Sequence, residues 1–150
     1  MATTQITENF TLEEFERSDL AEEYGVSNTV PTTVVRLSIT ALCECVLQPL
    51  RDEIGEPVII SSGYRSKALN EAVGGVESSQ HRKGEAADIK VAGMEPVEVA
   101  RVVYGASAIW AQVDQMILYP TFLHLSHKRT GSQRQQLLYD KTYKGDKVVV

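Results

Sequence analysis

The stretch ESSQHRKGEAADIK, residues 77–90, places a polar segment directly before an alternating one. Ala87 and Ile89 alternate with polar neighbours, which is the period-two pattern of a half-buried strand. Side chains alternate between the two faces of a strand, so Asp88 projects from the face opposite Ala87 and Ile89. His81 lies seven residues before Asp88. The stretch therefore predicts a strand with a carboxylate on its non-core face and an imidazole close by in sequence.

The other two histidines lie in the segment 122–128, which is also predicted to be a strand. Leu123 and Leu125 share one face of this strand, and that face is expected to turn to the core. His124 therefore points away from the core and can reach a cleft. His127 lies at the end of the strand and is predicted to be a surface or partly packed histidine.

These residues can form a metal site. A catalytic zinc site needs three protein ligands and one open position, and imidazole and carboxylate are both suitable donors. His81, Asp88 and one later histidine would supply this set, and the strand pattern selects His124 as the third ligand. From the residues alone, metal binding and ordinary structural roles remain equally open.

The order of the predicted elements favours an α+β fold over a doubly wound parallel sheet. Helices come early, strands are interspersed, and the last two strands are expected to pair antiparallel. Thr11 and Glu14 form a capping box at the first helix, and Pro49 is expected to kink the long second helix. The predicted elements are helices from Thr11 to near Ser18, from Pro31 to Gly55, over 66–73 and from Pro96, and strands over 57–63, 87–91, 113–119 and 122–128.

Length and charge exclude several classes of protein. The 150 residues predict one domain, with loosely ordered tails at 1–8 and about 140–150. A net charge of -5 argues against a nucleic-acid or acidic-membrane partner. No apolar run approaches the length of a membrane span, and the N-terminus has no secretory signal pattern. Cys43 and Cys45 are two positions apart and are expected to stay reduced.

A five-position motif links the chain to a known family. Ser79, His81, Gly84, Ala86 and Asp88 fill the pattern SxHxxGxAxD, which resembles the metal-binding signature of the zinc D-Ala-D-Ala carboxypeptidase family. The resemblance extends to the branch of that family often found in phages and prophages. The stretches that carry it are FTLEEFERSDLAEEYGVSN (10–28), LQPLRDEIGEPVIISSGYRS (47–66), SGYRSKALNEAVGGVESSQHRKGEAADI (62–89) and VDQMILYPTFLHLSH (113–127).

The resemblance implies a fold, a metal and a reaction. The fold would be the small antiparallel sheet flanked by helices that D-Ala-D-Ala metallopeptidases share with hedgehog signalling domains. One zinc ion per chain would be bound by His81, Asp88 and His124. Family enzymes hydrolyse peptide bonds in the peptidoglycan stem, commonly next to D-alanine, so the expected substrate is a peptidoglycan peptide.

Residues of the SGYRS stretch and of the motif are candidate substrate contacts. Arg65 occupies the position of an arginine that faces the substrate cleft in the family, where it can clamp a carboxylate or stabilise an oxyanion. A surface salt bridge is the alternative role. Tyr64 and Ser79 are further candidates, although Ser79 is equally suited to a turn. Gly84 is expected to permit a tight loop.

The general base is the least determined residue. Family members carry an acidic residue or a histidine shortly before the third ligand, but Thr121 and Tyr119 occupy the near positions here. Asp114 is the nearest upstream acid, and partial burial is expected to raise its pKa and make it the catalytic base. Tyr119 and His127 are the alternatives.

The resemblance also predicts where the protein acts. Made in the cytoplasm without a signal peptide, it would reach the bacterial cell wall after release or as part of a virion. Two other functions compete with wall hydrolysis. One is a non-catalytic zinc-containing module that binds wall peptide or a virion protein, and the other is a cytoplasmic D-Ala-D-Ala dipeptidase.

Overall fold

A five-stranded sheet organises residues 3–149, the part of the chain that the computed structural model describes. In chain order the elements are β1 (Gln5–Thr7), β2 (Phe10–Thr11), α1 (Leu12–Glu16), α2 (Asp19–Tyr24), α3 (Thr33–Leu42), a π-helical turn (Cys43–Leu47), α4 (Gln48–Ile54), β3 (Val58–Ser62), α5 (Lys67–Ala72), a 3-10 turn (Gln80–Lys83), β4 (Ala86–Val91), α6 (Pro96–Gly105), α7 (Ser107–Trp110), β5 (Gln115–Leu118), β6 (Leu123–Ser126) and β7 (Gln136–Tyr139).

The strand order is β3-β4-β6-β5-β7, and β1 and β2 form a separate two-stranded hairpin. Every neighbouring pair in the large sheet is antiparallel except β5 and β7, which are parallel. The predicted α+β class with a small antiparallel sheet is therefore confirmed. Three elements were not predicted from the sequence: β7, α2 and the β1–β2 hairpin.

Local signals set the first two helices. Glu14 donates its backbone N–H to the Thr11 hydroxyl, and the Glu14 carboxylate accepts from the Thr11 backbone, so the predicted capping box is present. The chain then begins α2 directly, because the Ser18 hydroxyl caps it by accepting from Ala21 N. Ser18, which was expected to end the first helix, is therefore the N-cap of α2.

The predicted long helix runs from Thr33 to Ile54 as α3, the π-helical turn and α4. The π-helical turn directly precedes α4, whose second residue is Pro49. Proline lacks an N–H to donate, and the wider turn accommodates the missing bond. By length and hydropathy this helix could cross a membrane, so the prediction that no apolar run approaches the length of a membrane span is wrong. Its apolar side is nevertheless part of the core, where Ile39, Leu42 and Val46 are fully buried.

Both ends of the described chain pack against the domain. Residues 5–7 form β1, and Val148 is buried, with its backbone N–H donated to the Tyr139 hydroxyl over 2.8 Å. Arg101 donates to the Lys147 carbonyl over 2.8 Å. β1 and Val148 thus contact the domain, and the loosely ordered tails at 1–8 and about 140–150 stay a prediction. Met1, Ala2 and Val150 lie outside the described residues.

The helices leave one face of the sheet for the site. The long helix and α6 pack on the face that carries Ile89, Leu123 and Leu125, and these side chains are buried in the core. Because strand side chains alternate, Asp88 and His124 project from the other face. Asp88 and His124 line a cleft on that face and do not belong to the core, so the predicted orientation of both residues is confirmed.

Candidate metal centre

Three potential ligands meet on the open face of the sheet. His81, Asp88 and His124 place one ligand atom each within 4.8 Å of one another. Oδ1 of Asp88 lies 2.8 Å from His124 Nδ1 and 3.4 Å from His81 Nε2. The structure thus brings together the three residues that the sequence analysis selected, from three different elements.

The β4–β6 ladder places two of these residues side by side. Asp88 and His124 are directly opposite each other in the antiparallel register. Side chains at such positions have Cβ atoms about 4.5–5.5 Å apart on one face. The register of two strands is therefore sufficient to pair the carboxylate with the imidazole.

The third residue is held by a short turn. Ser79 caps the 3-10 turn, with its hydroxyl accepting from His81 N, and Gly84 ends it at φ 73°. His81 donates its Nδ1 proton to the Gly63 carbonyl over 2.7 Å. A carbonyl only accepts, so this bond fixes the tautomer and leaves the Nε2 lone pair free toward Asp88. The left-handed φ confirms that Gly84 permits a tight loop.

The chemistry of these donors fits a zinc ion. Two donors at about 2.0–2.1 Å from a tetrahedral zinc are roughly 3.3 Å apart. The 3.4 Å distance between Asp88 and His81 matches this spacing, and the 2.8 Å distance between Asp88 and His124 would have to lengthen by about 0.5 Å. Burial would raise the pKa of Asp88, but hydrogen bonds and the charges of His124 and His81 hold it well below its usual range. The carboxylate is thus ionised, as a metal ligand must be.

His127 is not part of the metal group. It is buried, and its Nδ1 donates to the Gln112 carbonyl over 2.6 Å. The expectation of a surface or partly packed histidine is wrong, because the residue lies within the fold beyond the end of β6. It is also absent from the cleft lining, so the structure does not support it as a general base.

A cleft of about 620 Å³ opens over the metal group. Arg65 lies half-buried in its wall and donates to the Ser79 hydroxyl over 3.5 Å, a long contact. Its Nε atom is buried and has no hydrogen-bond partner among the described residues. Burial lowers the pKa of Arg65, and the Asp88 carboxylate opposes that shift. The structure thus places Arg65 and Ser79 in the cleft, with a guanidinium that a ligand can engage.

Tyr64 requires a correction as a candidate substrate contact. It is buried in the hydrophobic core and does not line the cleft. Its backbone N–H is donated to the Phe15 carbonyl over 2.8 Å, which fixes the chain at this point. With Arg65 directed to the cleft, its neighbour Tyr64 packs inward.

Asp114 also requires a correction. Its side chain is fully buried, and both carboxylate oxygens accept hydrogen bonds from Arg134, the shortest over 2.7 Å. Burial would raise the pKa of Asp114, but the bonds from Arg134 and Gln80 outweigh it and lower the pKa. The expected raised pKa is therefore wrong. A carboxylate held in this way is a weak base, and Asp114 is not among the cleft-lining residues.

Tyr119 lies in the cleft wall. Its ring stacks on Phe122, with centroids 4.4 Å apart and an interplanar angle of 13°. Burial is the largest cause of its raised pKa, and the charges of Asp140 and Asp88 add to it while Arg65 opposes it. The hydroxyl is thus protonated at neutral pH and can donate a hydrogen bond near Asp88 and Arg65.

Several polar side chains that line the cleft were not predicted from the sequence. Gln80 directly precedes His81, and Glu85 lies three positions before Asp88. Their closeness in sequence to these two ligands could have indicated that they line the cleft. Lys128 and Arg134 gave no such signal, because their association with the cleft depends on the tertiary fold.

Positive charge is concentrated in this cleft. Its lining contains the cations Arg65, Lys83, Lys128 and Arg134 and the carboxylates Asp88 and Glu85. The chain as a whole has a net charge of -5, so the cleft is more basic than the rest of the protein. Such a cleft favours a ligand with negative charge.

One comparison with known proteins identifies the family. A family model described as Peptidase M15 matches residues 8–126, a range that contains the three metal-site residues and the strands that bear them. No curated protein matches the chain. Because the match covers most of the chain and the His-Asp-His group fits a zinc ion, the chain belongs to the peptidase M15 family of zinc-dependent D-Ala-D-Ala peptidases.

Proposed function

We propose that the protein hydrolyses peptide bonds in the peptidoglycan stem, as a D,D-carboxypeptidase or endopeptidase encoded by a phage or prophage. The observation that carries the proposal is the His81–Asp88–His124 group beneath a cleft that also contains Arg65. Catalysis would take place at the bacterial cell wall, after release from the cell or as part of a virion.

The metal would be held by these three residues. When bound, zinc activates water and polarises the scissile carbonyl. The chain contributes orientation and charge: the Gly63 carbonyl fixes the His81 tautomer, and the Asp88 carboxylate stays ionised. The ladder register keeps His124 beside Asp88.

Arg65 would bind the substrate. A stem peptide ends in a carboxylate, and a planar guanidinium can donate two parallel hydrogen bonds to it. The long Ser79 contact is the side-chain hydrogen bond that the structure gives the Arg65 guanidinium, so its Nη donors at the cleft are largely unused. If the scissile carbonyl lies closer than the carboxylate, the same group stabilises the developing oxyanion.

Tyr119 would supply a proton that no carboxylate near the ligands supplies. Among the described residues, Asp88 and Glu85 are the carboxylates that line the cleft, and Asp88 is a ligand. Glu85 accepts from Gln80 and lies near Arg134. Tyr119 instead lies within electrostatic reach of Asp88 and Arg65 and stays protonated. Its hydroxyl would donate a hydrogen bond to the oxyanion, or it would give its proton to the leaving amine and regain one from the water that attacks the carbonyl.

The shortage of free carboxylates favours one alternative function. A zinc-containing module that binds wall peptide without cutting it would need the ligands and Arg65 but no base. The cytoplasmic dipeptidase is less consistent with the cleft. Lys83 and Glu85 line both the cleft and a neighbouring groove of about 330 Å³, so the site continues beyond the space beside the ligands. A continuing site suits a substrate that is attached to a polymer.

Mass spectrometry of muropeptides tests these functions. Purified cell walls are incubated with the protein, with the protein plus chelator, and with chelated protein to which zinc is restored. The proposal predicts a new product that disappears with chelator and returns with zinc. His127→Asn, whose amide N–H can replace the Nδ1 bond to the Gln112 carbonyl, is the matched control and should behave as the wild type. No product from zinc-loaded protein would favour the binding module, and cleavage of free D-Ala-D-Ala alone would favour the dipeptidase.

A further inference from the structure

An ion pair between the buried Asp114 and the part-exposed Arg134 lies beside the cleft, close to all three ligand-bearing elements. Asp114, at the start of β5, accepts from Arg134 at both oxygens: Nη2 lies 2.7 Å from Oδ2, and the Arg134 backbone N lies 2.8 Å from Oδ1. Lys128 Nζ is 3.8 Å from Oδ1. The side chain of Asp114 is fully buried, so these partners, and not water, stabilise its negative charge.

The same carboxylate reaches the turn that bears His81. Gln80 Nε2 donates to Asp114 Oδ2 over 3.1 Å and to Glu85 Oε1 over 3.3 Å. Gln80 directly precedes His81, and Glu85 follows the end of the 3-10 turn. One amide therefore ties both ends of the turn to a fixed, charged acceptor.

Backbone bonds extend the connection to the other two ligands. Asp114 N donates to the Ser126 carbonyl over 2.8 Å, two positions after His124 in the chain. His127 N donates to the Glu85 carbonyl over 2.9 Å, immediately before β4. The carboxylate and its amide partner are thus connected to the turn, to β4 and to β6.

We propose that Asp114 is a positioning residue: paired with Arg134, it holds Gln80 and thereby sets His81 for zinc. This inference rests on zinc binding by the proposed site but not on cleavage of wall peptide. The loss of a group bonded directly to a ligand typically weakens metal affinity about 10–100-fold. Gln80 acts on His81 through the turn, so its loss should have an effect at the lower end of that range, about tenfold. A general base would affect the rate and its pH dependence and leave the affinity for zinc unchanged.

Gln80→Ala is the deciding variant, because it cuts the link and leaves the Asp114–Arg134 pair in place. Zinc affinity of the full chain is measured by competition with a chelator, and Co²⁺ absorption reports the ligand geometry. Gln133→Ala is the matched control, since that amide exchanges bonds only with the Lys128 backbone in the described structure. The proposal predicts about tenfold weaker zinc binding and an altered Co²⁺ spectrum for Gln80→Ala, with the control unchanged.

A second variant separates positioning from proton transfer. Asp114→Asn should weaken zinc binding as Gln80→Ala does, and at saturating zinc it should keep the wild-type pH profile. Wild-type zinc affinity and Co²⁺ spectrum in Gln80→Ala would overturn the proposal, and this result is decisive even if Asp114→Asn fails to fold. If the wild type binds zinc but cleaves no wall peptide, the proposed function fails while the affinity data still decide the role of Asp114.

Discussion

Substitution of Gly84 by alanine tests how the His81 turn is held against the long helix. Gly84 has φ 73°, and a Cβ atom there would lie 2.7 Å from the Val35 carbonyl oxygen and 2.9 Å from Ile39 Cγ1. The left-handed conformation costs a non-glycine residue about 1–2 kcal/mol. Forcing a methyl group against backbone in a packed site adds about 1–3 kcal/mol. We therefore expect Gly84→Ala to lower the free energy of unfolding by about 2–5 kcal/mol.

Gly74→Ala is a matched control for the backbone term. Gly74 has the same φ of 73°, and its added Cβ would meet no atom within 4 Å. Gly74→Ala should lower the free energy of unfolding only by the cost of the left-handed conformation, about 1–2 kcal/mol. The two glycines differ in one physical respect, the contact with α3, so the difference between the variants isolates that contact.

Thermal denaturation of the metal-free chain provides the measurement. For a domain of this size 1 kcal/mol shifts the Tm by about 2–4 °C, so Gly84→Ala should melt about 2–12 °C below Gly74→Ala. A zinc titration of both variants should show weaker binding in Gly84→Ala, because the turn that carries His81 must shift. Equal Tm values and equal zinc affinities would refute the argument and show that α3 yields to the methyl group without cost.

The remaining predictions concern the site itself. Asp88→Ala should lose most of the bound zinc while His127→Ala retains about one zinc per chain, measured by elemental analysis; the reverse pattern would contradict the ligand assignment. Arg65→Lys should slow cleavage with zinc retained, because lysine lacks the planar fork; unchanged kinetics would remove Arg65 from substrate binding. Tyr119→Phe should reduce kcat about 10²–10³-fold with zinc in place, and full activity would exclude the hydroxyl as a donor. The pKa of Asp114 is lower in the folded chain than its unfolded value near 3.9, so the ionised carboxylate stabilises the fold at pH values above about 3.9. This stability is lost as the pH falls through the lower pKa of the folded chain. Urea denaturation from about pH 2 to 7 should therefore show the advantage of the wild type over Asp114→Asn shrinking below about pH 4, and a constant difference would contradict it.

The metal group could be predicted because its determinants are local in sequence. Strand alternation alone places Asp88 and His124 on the face opposite the core side chains, and the register of β4 and β6 then makes them neighbours. The position of His81 depends on a short turn with its own cap and its own left-handed glycine. Strand alternation and the turn act over fewer than ten residues, which is the range over which residue patterns are informative. The β4–β6 register joins residues 36 positions apart, and the pattern alone does not contain it.

The missed elements lack such local patterns. β7 is four residues long, and it exists as a strand because it pairs with β5 in parallel. Nothing in QLLY distinguishes that outcome from a loop. Ser18 carries a cap signal for α2, yet the same residue is equally suited to end the preceding helix. Contacts with distant parts of the chain decide whether these segments form a strand or a helix, and the local sequence pattern does not specify those contacts.

Asp114 shows what separates a buried base from a buried structural carboxylate. Both are acids close to a metal site, and burial alone raises the pKa of either one. The sign of the shift is decided by the partner, and here the partner is Arg134, twenty residues further along the chain. Its guanidinium reaches both oxygens of Asp114, so the carboxylate stays ionised and becomes a fixed acceptor for Gln80. Removing the cation therefore changes more than a salt bridge, because it leaves a buried charge whose most favourable response is to take up a proton. Protonated Asp114 would be a weaker acceptor for the Gln80 amide, and the turn that carries His81 would lose its anchor to β5.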